Sequence, residues 1–159
     1  MSRYLSAAGC VVALSLALLI STQAQTPEWV KPLESSNMRI VGHSDLNGRG
    51  NGGEGLALNQ YADGRRILFL AHESAPLCFS VVDVTDGSRP KVLTQISTIS
   101  AEIRCNSLGL SGTTLIVAHQ TAKAGLPNGG IRIYDVSDPA KPNQLAFFDT
   151  SGPQSRGVH

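Results

Sequence analysis

Apolar residues along this chain recur in short runs with a period near two, broken by clusters of Gly, Pro, Asp, Asn and Ser. "MRIVG", "LAL" (Leu56 to Leu58), "ILFLAHE" (Ile67 to Glu73), "FSVVDV" (Phe79 to Val84) and "VLTQIS" (Val92 to Ser97) come first. "LGL" (Leu108 to Leu110), "TLIVAHQ" (Thr114 to Gln120), "IRIYDV" (Ile131 to Val136) and "QLAFFD" (Gln144 to Asp149) follow in the same order. Such runs, rich in Val, Ile, Phe and Tyr, predict strands. Turn chemistry fills the gaps, as in "ADGRR" and "SGTT". No stretch sustains a 3.6-residue apolar period over three turns, so crossover helices are not expected.

The runs repeat as a set. "FSVVDVTDGSRPKVL" begins at Phe79 and "IRIYDVSDPAKPNQL" begins at Ile131, 52 residues later. Asp83 and Asp135, Asp86 and Asp138, and Pro90 and Pro142 hold matching places, as expected of structural repeat residues in strand-turn-strand units. A third copy opens after Phe148 with "SRGVH", where Arg156 stands 52 residues after Arg104. Four short strands repeating about every 50 residues is the period of a propeller blade. The fold expected is therefore all-β: an incomplete β-propeller of about two four-stranded blades plus the start of a third. A single β-sandwich with two similar hairpins is the alternative. The shared order of Ala-His and Asp-Val-Ser/Thr-Asp argues against accident.

The motif resembles the LVIVD-repeat family of exported β-propellers. The resemblance rests on Val81-Val82-Asp83-Val84 with Thr85-Asp86 and Pro90, and on Ile133-Tyr134-Asp135-Val136 with Ser137-Asp138-Pro139 and Pro142. It covers about residues 38 to 159. It implies a propeller fold and export, and it supplies no chemistry. Propellers close with about four blades or more, so an N-terminal fragment is expected, with the remaining blades missing.

The front of the chain is a separate object. Arg3 precedes the apolar run "YLSAAGCVVALSLALLI", and "STQAQ" places Ala24 at a cleavage point. Residues 1–24 read as a secretory signal peptide, 25–37 as an N-terminal linker and 38–159 as a partial β-propeller repeat domain. The product is expected to be secreted or periplasmic, with no membrane span after cleavage. An uncleaved anchor and lipidation at Cys10 are the alternatives.

The net charge of the chain is +1 and aromatics make up 5%. A basic groove or a stacking platform for nucleic acid is therefore not expected. Cys78 and Cys105 remain after cleavage and are a possible disulfide pair, or else two small buried hydrophobes.

Chemistry has few places to reside. His72 and His119 end equivalent strands and, with Glu73 and Arg104, are the candidate binding residues near a rim or an axial channel. Their alternative is a structural role at a strand end. The unrepeated stretch "HSDLNGRGNGGEG" (His43 to Gly55) offers Asp45, Asn47 and Asn51 as candidate calcium ligands. Arg49 stands there where an acceptor would be wanted. The loop Thr121 to Gly130, five residues longer than its counterpart, is a candidate contact surface.

No G-x-S-x-G elbow, H-E-x-x-H helix or phosphate loop is present. Catalytic residues and cofactors therefore stay unknown. The function expected is an exported propeller scaffold that binds a small molecule or a protein. The alternative is a blade segment of a larger exported enzyme with a histidine-containing or metal-dependent axial site.

Overall fold

The computed structural model describes residues 37–159. The expected leader, 1–24, and all but the last residue of the linker, 25–37, lie outside the described residues. Among the described residues the structure is all-β, with antiparallel sheets and one short 3-10 turn, Leu46–Gly48.

Two sheets carry the architecture. In the first, β1 (Leu56–Gln60), β2 (Arg66–Ala71), β3 (Leu77–Asp83) and β4 (Lys91–Ser97) pair in sequence order. In the second, β5 (Ile103–Arg104), β7 (Thr114–Thr121), β8 (Gly130–Asp135) and β9 (Asn143–Asp149) pair in that order, and β6 (Leu108–Ser111) also pairs with β7. A small hairpin, β10 (Ser151–Gly152) and β11 (Ser155–Arg156), follows.

One hairpin in each sheet, β3–β4 and β8–β9, is closed by the repeated aspartates. Asp83 Oδ1 accepts from the Thr85 amide at 2.8 Å, and Asp135 Oδ1 accepts from the Ser137 amide at 2.8 Å. Asp86 and Asp138 do the same for Ser88 and Ala140, each at 3.0 Å. These are Asx turns, which a short carboxylate makes with a backbone two residues on. A register shift falls between Val81 and Val82 and recurs between Ile133 and Tyr134, 52 residues on. The repeat thus extends to a β-bulge, which bends both third strands alike.

The core lies between the sheets. Side chains alternate across a strand, so each sheet has two faces. One face of the first sheet presents Ile67, Phe69, Phe79 and Val81, all 0% exposed. It meets Leu115, Val117 and Tyr134 of the second sheet in one continuous apolar cluster. The Phe79 and Tyr134 rings meet edge to face, with centroids 5.3 Å apart, a favourable quadrupole arrangement.

The contact joins unlike faces. The second-copy counterparts of Phe69, Phe79 and Val81 are Ile116, Ile131 and Ile133, which lie on the far side of the second sheet. There Ile116 is 42% exposed and Phe148, the counterpart of Ile96, is 65% exposed. Conversely, Leu108 and Leu110 pack on the core, while their counterparts Leu56 and Leu58 are 67% and 59% exposed on the outside of the first sheet. The front of the first sheet therefore lies on the back of the second. A matching back and a matching front remain open.

Candidate functional site

The two repeat-matched histidines are both buried, each 1% exposed. Neither reaches an open rim, and their surroundings differ. His72 ends the run of β2. Its Nε2 bonds the Ser80 hydroxyl at 2.7 Å, and its Nδ1 bonds Asn51 Oδ1 at 2.9 Å. Burial lowers its pKa, and a hydrogen bond with the Asn51 backbone partly offsets this. Its ring is fully paired and holds the unrepeated segment His43 to Gly55 against the sheet.

His119 lies within β7. Its Nε2 is 3.6 Å from Cys78 Sγ and 3.7 Å from Cys105 Sγ. Its Nδ1 has no hydrogen-bond partner among the described residues. Desolvation pushes its pKa down to about 4, and the nearby Arg132 guanidinium adds to the effect. The ring is therefore neutral near pH 7.

Cys78 and Cys105 are joined as a disulfide with Cα atoms 4.9 Å apart. Both residues are 0% exposed. The bond ties β3 of the first sheet to the start of the second. Beside it, the Cys105 amide donates to the His72 carbonyl at 3.2 Å. The Val158 amide donates to the His119 carbonyl at 3.3 Å, one residue beyond the place that matches Cys105. The cysteines do not recur. Gly130 stands where Cys78 does, and Gly53 and Gly157 stand where Cys105 does. Cys78, Cys105 and His119 are the group of potential metal ligands found among the described residues.

The other candidates do not join this group. Arg104 forms an ion pair with Glu73 and donates from Nε to Gln120 Oε1 at 2.7 Å. This partly exposed pair clamps the strand ends of the two sheets and borders a shallow hollow of about 160 Å³. Asp45 caps the 3-10 turn by accepting from the Asn47 amide at 3.0 Å. Asn47 has a left-handed backbone, φ 59°. Asn51 is engaged at both ends, since its Nδ2 donates to the Ser74 carbonyl and hydroxyl, each at 2.9 Å, while its Oδ1 faces His72. These three residues shape the loop around His72 and are not drawn to one point.

The long loop Thr121 to Gly130 lies along the β10–β11 hairpin. The Gly125 amide donates to the Gly152 carbonyl at 3.0 Å, and the Thr150 amide donates to the Gly129 carbonyl at 2.9 Å. The sequence offers the cysteines as a possible pair and the histidines as repeat-matched residues, and it does not show that one histidine meets both cysteines. The signal available was the loss of His72's partners from the second copy. At those places Ser80 becomes Arg132 and Asn51 becomes Ile103.

No protein-family model matches the chain, and no curated protein matches it.

Proposed function

We propose that the chain is an exported propeller-type scaffold of the LVIVD-repeat kind. Its sheets stack front to back, and its loops bind a small molecule or a protein. The single observation that carries this reading is the face-to-back match: Phe69, Phe79 and Val81 are buried on Leu115, Val117 and Tyr134, while Ile116 and Leu56 leave equivalent surfaces open. A head-to-tail interface of this kind adds copies in one direction and closes as a ring when the rotation suits. Open apolar faces on both sides suit further sheets of the same repeat. The buried disulfide fits an oxidising compartment, as the apolar leader does.

The reading as an axial-site enzyme is less well supported, because His72 and His119 are both 1% exposed.

Two measurements test the proposal. N-terminal sequencing of the exported product should begin at Gln25. Light scattering of the full chain should give a mass above one chain, and the double variant Ile131→Lys/Ile133→Lys should lower it. A cytoplasmic product with an intact leader would refute export. A wild-type chain that stays monomeric and binds no hydrophobic dye would refute stacking.

A further inference from the structure

Two unrepeated cysteines and one histidine converge on one point. Both sulfurs of the Cys78–Cys105 pair lie within 3.7 Å of one nitrogen, His119 Nε2. A sulfur of this kind is a weak acceptor, so the contact does little for the ring as a hydrogen bond. His72 at the same repeat position has an oxygen partner on each ring nitrogen. In the second copy those partners are gone and two sulfurs stand near the ring instead.

We propose that the Cys78 and Cys105 thiolates and His119 Nε2 form a buried, three-coordinate site for monovalent copper, available when a dithiol opens the disulfide. The opening balances. The dithiol gives up two electrons and two protons and becomes a disulfide, and the protein gains two thiols. Copper(I) then displaces both thiol protons and binds two thiolates and one neutral imidazole.

The geometry suits this. Metal–sulfur bonds of about 2.3 Å and metal–nitrogen bonds of about 2.0 Å, set at trigonal angles, place nitrogen and sulfur about 3.7 Å apart. The two N···S separations are 3.6 and 3.7 Å. Only the sulfurs must part, to about 4 Å by the same construction, through rotation of side chains whose Cα atoms are 4.9 Å apart.

Ligand type and charge select the ion. Thiolates favour copper(I), zinc or iron–sulfur groups. Zinc almost always takes four ligands, whereas three donors converge here among the described residues. None of the three is more than 1% exposed. Copper(I) with two thiolates carries a net charge of −1. Arg132 is 8% exposed, donates from Nη1 to Gln144 Oε1 at 2.9 Å and lies 4.2 Å over the Phe147 ring, and its charge reaches both His119 and Asp149. An anionic copper centre would be attracted to that guanidinium, and a neutral zinc centre would not. The proposal does not rest on the scaffold reading.

The test uses the full chain carrying Cys10→Ser, reduced under anaerobic conditions and titrated with copper(I) against a chromogenic competitor. X-ray absorption at the copper edge follows. One copper per chain is expected, bonded to two sulfurs and one nitrogen, with none bound by the oxidised chain. His119→Leu should weaken binding at least tenfold, and Cys78→Ser with Cys105→Ser should abolish it. Unchanged affinity in His119→Leu, a sulfur-only copper environment, or displacement of copper by equimolar zinc would each overturn the proposal. Should His119→Leu fail to fold, the wild-type copper spectrum decides alone: two sulfurs with one nitrogen uphold the site, and any other set overturns it.

Discussion

His72 and His119 occupy one position of one repeat, yet they belong to different kinds of environment. Around His72 the chain supplies Ser80 and Asn51, and every polar atom of the ring has a partner. Around His119 it supplies Arg132 and Ile103 at those places, and the ring meets the Cys78 and Cys105 sulfurs instead. The strands, turns and bulges about the two rings are copies. The difference teaches that architecture repeats through backbone-shaping residues, while chemistry enters where a copy departs from its template. The same lesson holds for the sheet faces, since matched residues are core in one copy and surface in the other.

The largest expected effect concerns those faces. Phe69→Ala should cost about 3–5 kcal/mol, because it empties a fully buried site. Ile116→Ala, at the matching place in the second sheet, should cost less than about 1 kcal/mol in the dilute monomer. Denaturant unfolding of both variants checks this, and equal costs would show that the second face is already covered.

Next comes the pin between the sheets. The disulfide spans a sequence separation of 27 residues, so its loss should cost about 3–4 kcal/mol on chain-entropy grounds. Unfolding of Cys78→Ser/Cys105→Ser against the oxidised wild type measures it.

The histidines follow. Asn51→Ala should cost about 1–2 kcal/mol, because it removes the Oδ1 bond to His72 and the Nδ2 bonds to Ser74, while the Asn51 backbone stays beside His72 Nδ1. His119→Leu in the metal-free, oxidised chain should change stability by less than about 1 kcal/mol, because no strong hydrogen bond is lost. The reverse order would mean that the two environments have been assigned the wrong way round.

The smallest effect lies at the hairpin tip. Hydrogen bonds from Ser88 and Arg89 pull the Asp86 carboxyl down to about 2. The folded form is therefore favoured above the ordinary carboxylate range, and that preference is lost as pH falls toward 2. Carbon-detected NMR titration should show Asp86 still ionised at pH 3, and a midpoint near 4 would contradict the turn geometry.

The strand order was legible in the sequence because period-two alternation and Asp-Val-Ser/Thr-Asp turns are local signals. Asp83, Asp86, Asp135 and Asp138 each act within three residues of themselves, so their roles could be read directly. The approach of His119 to the cysteines could not. It joins residues 41 and 14 positions apart, and it depends on which face of one sheet lies on which face of the next. Nor could the role of Asn51. Its neighbourhood offers only a weak set of candidate cation ligands, and its amide bridges His72 and Ser74, 21 and 23 positions away. Spacing alone carries no information about such partners.

The central claim is that the sheets stack head to tail, front on back. Two variants of the full chain test it together. Ile131→Lys/Ile133→Lys blocks the front of the second sheet, and Leu56→Lys/Leu58→Lys blocks the back of the first. Each keeps one open face that only the other can complement. Sedimentation of each alone should show a single chain, and an equimolar mixture should show a one-to-one complex. Self-association of either variant, or no complex on mixing, would contradict head-to-tail stacking.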